Sequence, residues 1–140
     1  AISQRDARTV EVMEPRWLTA TIVQAIHVDQ VREHGGVLGV RGRGVLESAL
    51  ARPRNRFLHE PGSDLATLAA SYCFGIARNH PFADGNKRVA FEAMYVFLGL
   101  NGRQLDVPEA EVVAVMLAVA TADITEVELG DWIRSNSSPR

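Results

Sequence analysis

A base, a carboxylate, a glycine turn and two cations are gathered in the run His80-Pro81-Phe82-Ala83-Asp84-Gly85-Asn86-Lys87-Arg88. Histidine exchanges a proton near neutral pH, and a carboxylate such as Asp84 can hold a magnesium ion. Gly85 has access to backbone angles closed to other residues, and an apolar helical run follows it. The N–H groups of Asn86, Lys87 and Arg88 therefore lie at a helix N-terminus, where an anion is favoured. These are the parts for phosphate chemistry: His80 as general base on an incoming hydroxyl, Asp84 as metal ligand, and Gly85, Asn86, Lys87 and Arg88 around the phosphate. Each residue also has a plainer reading: His80 as a cap on the preceding helix, Asp84 as a helix N-cap, Lys87 and Arg88 as solvated charges. Their adjacency in one loop favours the chemical one. Phe82 reads as an apolar anchor that plugs the loop into the core.

Other chemistries find less support. The Gly-x-x-x-x-Gly-Lys-Ser/Thr spacing of a P-loop is absent. Four histidines and one cysteine, scattered at positions 27, 34, 59, 73 and 80, lack the spacing of a zinc site. Outside the motif the histidines read as structural or surface groups, with His27 the one to watch. Cys73 cannot form an internal disulfide alone, and in the stretch Ala69–Ile76 it reads as an inert core residue.

The loop must be positioned by helices. Pro15 suits a first helical turn, and Leu18, Ile22, Ile26 and Val31 recur at near-helical spacing until Gly35-Gly36. Val37–Gly42 is too glycine-rich for a regular element. A short second helix is expected over Gly44–Arg52, ended by Pro53, and Arg54–Gly62 then reads as an exposed loop or hairpin. Ser63 is placed to cap a third helix, through Leu65, Leu68, Tyr72 and Ile76, that is apolar nearly all round and therefore central.

A fourth, buried helix spans Val89–Leu100 and closes at Asn101-Gly102. Asp106 with Pro108 and Glu109 opens a fifth, and Thr125 with Glu128 forms a capping box for the last, carrying Leu129, Trp132 and Ile133. Thr9–Val12 alternates like a strand, with Gln104–Val107 or the Arg54–Gly62 loop as its only weak partners.

A chain of 140 residues, 46% of them apolar, is the size of one domain. That domain is expected over residues 13–134, after an N-terminal extension at 1–12 that carries no functional weight. A frayed tail is expected at 135–140. No apolar run reaches the roughly 20 residues of a membrane helix, and the first residues lack the order of a secretion signal, so a soluble cytoplasmic protein is expected. The net charge is −2, which argues against a global field for nucleic acid. The charge is unevenly spread: six arginines against two acids between Arg32 and Arg56, and seven acids with no lysine or arginine between Gln104 and Ile133. Arg52, Arg54 and Arg56 are candidates for docking an acidic target or partner.

The motif His80–Arg88 resembles the signature of the Fic/Doc family, and Lys87, where Fic enzymes carry glycine, is similar to the Doc (death-on-curing) toxin branch. The resemblance extends to Ile26-His27, Gly39-Val40-Arg41, Leu46–Pro53 and Ile76–Asn79, so it covers nearly the whole domain. It implies an all-α fold whose loop binds nucleotide phosphates, with Mg2+ on Asp84 and His80 as base. AMP-transferring members continue Gly-Asn-Gly-Arg-x-x-Arg; here Lys87 replaces the second glycine and Phe91 the second arginine. Those departures remove a phosphate clamp and place a cation over the anion site. The resemblance to the Doc branch then implies a toxin that moves the γ-phosphate of ATP to a Ser/Thr hydroxyl of a translation factor, elongation factor Tu.

AMP transfer to a protein hydroxyl is the second reading, and an inactive binding module the third. The family resemblance also gives Arg54–Gly62 the part of a target-docking flap. The inhibitory pattern Ser/Thr-x-x-x-Glu-Gly/Asn is absent from the sequence. In this family that implies a separate antitoxin, of the Phd type.

Overall fold

The computed structural model describes residues 14–140. Among them lie α1 (Ala20–His34), α2 (Arg43–His59), α3 (Leu65–Asn79), α4 (Asn86–Leu100), β1 (Arg103–Leu105), α5 (Glu109–Ala120), α6 (Glu126–Asn136) and β2 (Ser137–Pro139). The fold is all-α apart from one small antiparallel sheet, as expected. The strand-like Thr9–Val12 and the rest of the 1–12 extension lie outside the described residues.

The core is built around α3. Its sequence LATLAASYCFGIARN mixes large apolar with small side chains on every face, and such a helix is stable only when surrounded. It packs most extensively on α4 and also on α2 and α6. From α4 come Val89, Ala90, Ala93, Met94, Phe97 and Leu98, all fully buried. The Tyr72 hydroxyl accepts the Leu18 N–H at 3.0 Å, and its ring lies 5.0 Å from Phe97, on which Trp17 stacks. Cys73 is buried with its Sγ 3.6 Å from Met116 Sδ; burial, aided by the charge of Glu126, pushes its thiol up to about 12.

Several boundaries differ from expectation, each for a local reason. Helix α1 starts at Ala20, not near Pro15, because the Thr19 hydroxyl accepts the Ile22 N–H; residues 14–19 are non-helical chain. Asp64 rather than Ser63 caps α3, its carboxylate accepting the Thr67 N–H at 2.9 Å. Pro108, not Asp106, stands at the N-cap of α5, while the Asp106 N–H bonds the Asn136 carbonyl. The capping box of Thr125 and Glu128 is present, with both bonds formed.

The largest correction concerns Pro53. It does not end the second helix: α2 runs from Arg43 to His59, so Arg54–Gly62 is two helical turns and a tight turn rather than a loop or hairpin. Proline inside a helix costs about 3 kcal/mol. Tertiary contacts offset it here. Pro53 is buried, Phe57 meets Trp17 edge-on at 5.6 Å, and Arg52 and Arg56 both pair with Glu126 at the start of α6.

The chain end is also ordered, not frayed. Ser135 and Asn136 complete α6, and β2 pairs with β1 in the register Arg103 with Pro139, Gln104 with Ser138 and Leu105 with Ser137. Strand propensity is weak in Ser-Ser-Pro. The partner strand and the Arg103 guanidinium, donating to the Ser137 carbonyl at 3.1 Å, supply what the local sequence lacks.

Asp64 also ties α3 to α6: Arg134 donates to both of its carboxylate oxygens, at 2.7 and 3.0 Å, and this holds its carboxyl well below the usual range. A depressed folded pKa contributes stability above the unfolded value of about 4, lost as pH falls through the folded one. Both side chains are half exposed, so solvent screening limits the pair to about 1 kcal/mol or less. Asp64→Asn keeps the cap and removes the charge. It is expected to lower Tm by ~2–5 °C at pH 7, with the gap to wild type closing below about pH 4 in calorimetry.

Candidate active site

The motif forms the turn between the C-terminus of α3 and the N-terminus of α4. His80 occupies the C-cap of α3 in the left-handed region, at φ 52° and ψ 60°. A non-glycine residue there costs on the order of 1–2 kcal/mol. Pro81 and Phe82 turn inward and are buried. The Asn86 side chain staples the turn, accepting the Phe82 N–H and donating to the Phe82 carbonyl, both at 3.0 Å. Its amide is thereby used within the loop, leaving the Asn86 main-chain N–H for an anion.

Gly85, at φ 74°, starts α4 without any side-chain cap. The N–H groups of Asn86, Lys87 and Arg88 are thus the orphan donors of the first turn, and the Lys87 and Arg88 side chains beside them are exposed. An uncapped helix start with two adjacent cations favours an anion by both dipole and charge.

A strap, residues 35–42, lies antiparallel to the loop. Arg41 N–H donates to the Pro81 carbonyl at 2.7 Å, and Ala83 N–H to the Gly39 carbonyl at 2.9 Å, so that Val40 pairs with Phe82. The strap also reaches Asp84: Val37 N–H donates to Oδ2 at 3.3 Å, while Gly85 N–H donates to Oδ1 at 2.9 Å. Asp84 is held from two sides yet exposed, which suits a carboxylate that shares a Mg2+ with phosphate oxygens. Among the described residues no cluster of three or more His, Cys, Asp or Glu could cage a metal without such help.

His80, Asp84, Gly85, Asn86, Lys87 and Arg88 all border one open cavity of about 900 Å³. Glu33 and His34 of α1, Arg41 of the strap, Phe91 and Glu92 of α4, and Val112 and Met116 of α5 are among the other residues that line it. The lining thus combines N–H groups and cations from the loop, an apolar surface from α4 and α5, and carboxylates from the loop, α1 and α4. Glu92 is half-buried, and burial, reinforced by the charge of Glu33, pushes its carboxyl up. The volume and mixed lining suit a nucleotide-sized ligand.

Arg52, Arg54 and Arg56 do not border this cavity. Arg52 and Arg56 are engaged by Glu126, and the Arg54 guanidinium lies 5.7 Å from the centre of the Trp17 ring. Sequence reasoning gave no role to Arg41, Glu92 or the α5 wall. Glu92 had a signal: it is the sole charge in the apolar run Val89–Leu100.

Gly36, at φ 113°, has no room for a side chain beside Asp84: a Cβ there would lie 2.7 Å from Oδ2. Gly36→Ala is expected to displace Asp84 and, through about 1–3 kcal/mol of strain, to lower Tm by ~5 °C. Amide NMR changes should concentrate at Val37, Asp84 and Gly85; an unshifted Asp84 would show that the strap moves aside freely.

The Fic/DOC family model matches residues 17–98. The chain is 33% identical over 111 residues to the Protein kinase doc of Escherichia phage P1, covering 79% of this chain and 86% of that protein. It is 43% identical over 97 residues to the Toxin Doc of Mycolicibacterium smegmatis, covering 64% of this chain and 71% of the relative. The matched span includes the strap, α3, the motif loop and nearly all of α4, which position every part of the cavity except its α5 wall, and by this agreement the chain belongs to the Fic/Doc family.

Proposed function

We propose that this protein is the toxin of a toxin–antitoxin pair and that it transfers the γ-phosphate of ATP to a Ser or Thr hydroxyl of a translation factor, with elongation factor Tu the expected target. The observation that carries this reading is the uncapped start of α4, with His80 and Asp84 on the rim of the same cavity. Likeness to relatives named as a protein kinase and as a toxin supports it. Lys87 and Phe91, both on the cavity wall, favour phosphate over AMP transfer: one brings a cation to the phosphates, the other offers no charge to a second phosphate group.

In this reaction His80 takes the hydroxyl proton as the target oxygen bonds to the γ-phosphorus and the bond to the β–γ bridging oxygen breaks, releasing ADP. The left-handed C-cap fixes the position of its imidazole-bearing backbone. The N–H groups of Asn86, Lys87 and Arg88, with the Lys87 and Arg88 side chains, stabilise charge on the transferring group. Asp84 would hold a Mg2+ ion, which neutralises phosphate charge when bound. The apolar wall of Phe91, Val112 and Met116 takes the less polar part of the nucleotide.

The target-docking part first given to Arg54–Gly62 falls instead to the strap. That segment already pairs as a strand at Val40 and leaves Val37 and Leu38 exposed beside the catalytic loop. A Phd-type antitoxin in trans is the proposed partner.

The deciding experiment incubates the chain with Mg2+, elongation factor Tu and ATP labelled at either the α or the γ phosphate. Label from γ-ATP alone is expected, falling about 10²–10⁴-fold in His80→Ala. Label from α-ATP would assign AMP transfer, and transfer undiminished in the variant would remove His80 from the base role.

A further inference from the structure

His27, on the inner face of α1, is only 2% exposed and does not line the cavity. Its ring stacks on Phe82 of the motif loop, with centroids 4.3 Å apart and planes 20° apart. Its Nε2 accepts the Gly39 N–H of the strap at 3.0 Å. Nε2 is therefore the unprotonated nitrogen, and the proton of the neutral ring sits on Nδ1, which is buried without a hydrogen-bond partner. A buried donor left unpaired is unfavourable. Phenylalanine would stack on Phe82 without that penalty, so the imidazole offers the fold one thing that a hydrocarbon ring would not: an acceptor for Gly39.

That acceptor stands at the head of a chain of contacts ending at the site. Gly39, held through its N–H by His27, accepts the Ala83 N–H through its carbonyl. Two residues back, Val37 N–H donates to Asp84 Oδ2. The loop is gripped through Phe82 and the strap through Gly39 by one side chain. We infer that His27 is a positioning residue, which sets the separation of strap and motif loop and thereby the placement of the Asp84 carboxylate. The inference rests on the reading of this cavity as the catalytic site, but the contact it concerns can be measured without catalysis.

The test compares the full chain with His27→Phe and His27→Gln by amide hydrogen exchange at Gly39 and Ala83, with Tyr72 as the core reference. Phe keeps the ring and removes the acceptor. Gln removes the ring and carries a carbonyl oxygen near the place of Nε2. Exchange at Gly39 and Ala83 is expected to quicken about tenfold or more in His27→Phe and to stay within about threefold of wild type in His27→Gln, Tyr72 being unchanged in both. Wild-type protection of Gly39 in His27→Phe, or equal loss in both variants, overturns the inference. If His27→Phe does not fold, His27→Gln decides alone: native protection at Gly39 upholds the acceptor role, and its loss overturns it. Absence of phosphate transfer by the wild type would sink the proposed chemistry and leave this result standing.

Discussion

The burial of α3 is the constraint on which the rest of the molecule depends. Ten of its fifteen residues are buried, which leaves the helix no solvated face to rotate toward water. Its neighbours are then placed by what they cover: α4 on one side, α2 and α6 on others, and Leu18 through the Tyr72 hydroxyl. Because α3 and α4 are both fixed along their length, the turn that joins them has little freedom to drift. Close-packed interiors transmit displacement rather than absorb it. A site built on that turn inherits the rigidity of the core while its functional groups stay exposed.

The turn also shows where the fold forgoes local stability. Helix α4 starts without a side-chain cap, His80 takes a backbone conformation usually left to glycine, and Gly36 brings backbone almost onto a carboxylate. These departures converge within one loop and its strap. Helices α2 and α5 also start without a side-chain cap, whereas α1, α3 and α6 are each closed by a Thr or Asp side chain; the loop differs in joining its uncapped start to the strained backbone of His80. Unmet donors and strained backbone persist where surrounding packing holds them, which is the pattern expected of a functional centre.

Sequence patterns that depend on neighbours a few residues away were legible: the central apolar helix, the stop at Gly35-Gly36, the Thr125 box and the loop itself. Those that depend on distant partners were not. Pro53 reads as a terminator by local rules, and only Glu126, 73 positions on, and Trp17 explain the continuation of α2. Ser137–Pro139 has no strand signal of its own; its pairing with Arg103–Leu105 is a tertiary event. Within the site, the contiguous residues His80–Arg88 could be named together, whereas Asn86 serves the loop more than the ligand. The strap contacts of Val37 and Gly39 are main-chain N–H groups donating to the Asp84 and His27 side chains 47 and 12 positions away, a pairing that no local pattern announces.

Cys73 is the sole cysteine of the chain and lies fully buried in the central helix, its thiol pushed up to about 12. Its sulfur is therefore silent toward thiol reagents while the core is closed. Labelling of the native protein becomes a clock for opening of α3, with no engineered reporter. The same silence leaves the surface clear for one introduced probe: a cysteine placed by Leu38→Cys on the strap would be modified selectively, allowing a spectroscopic label to follow the strap on its own.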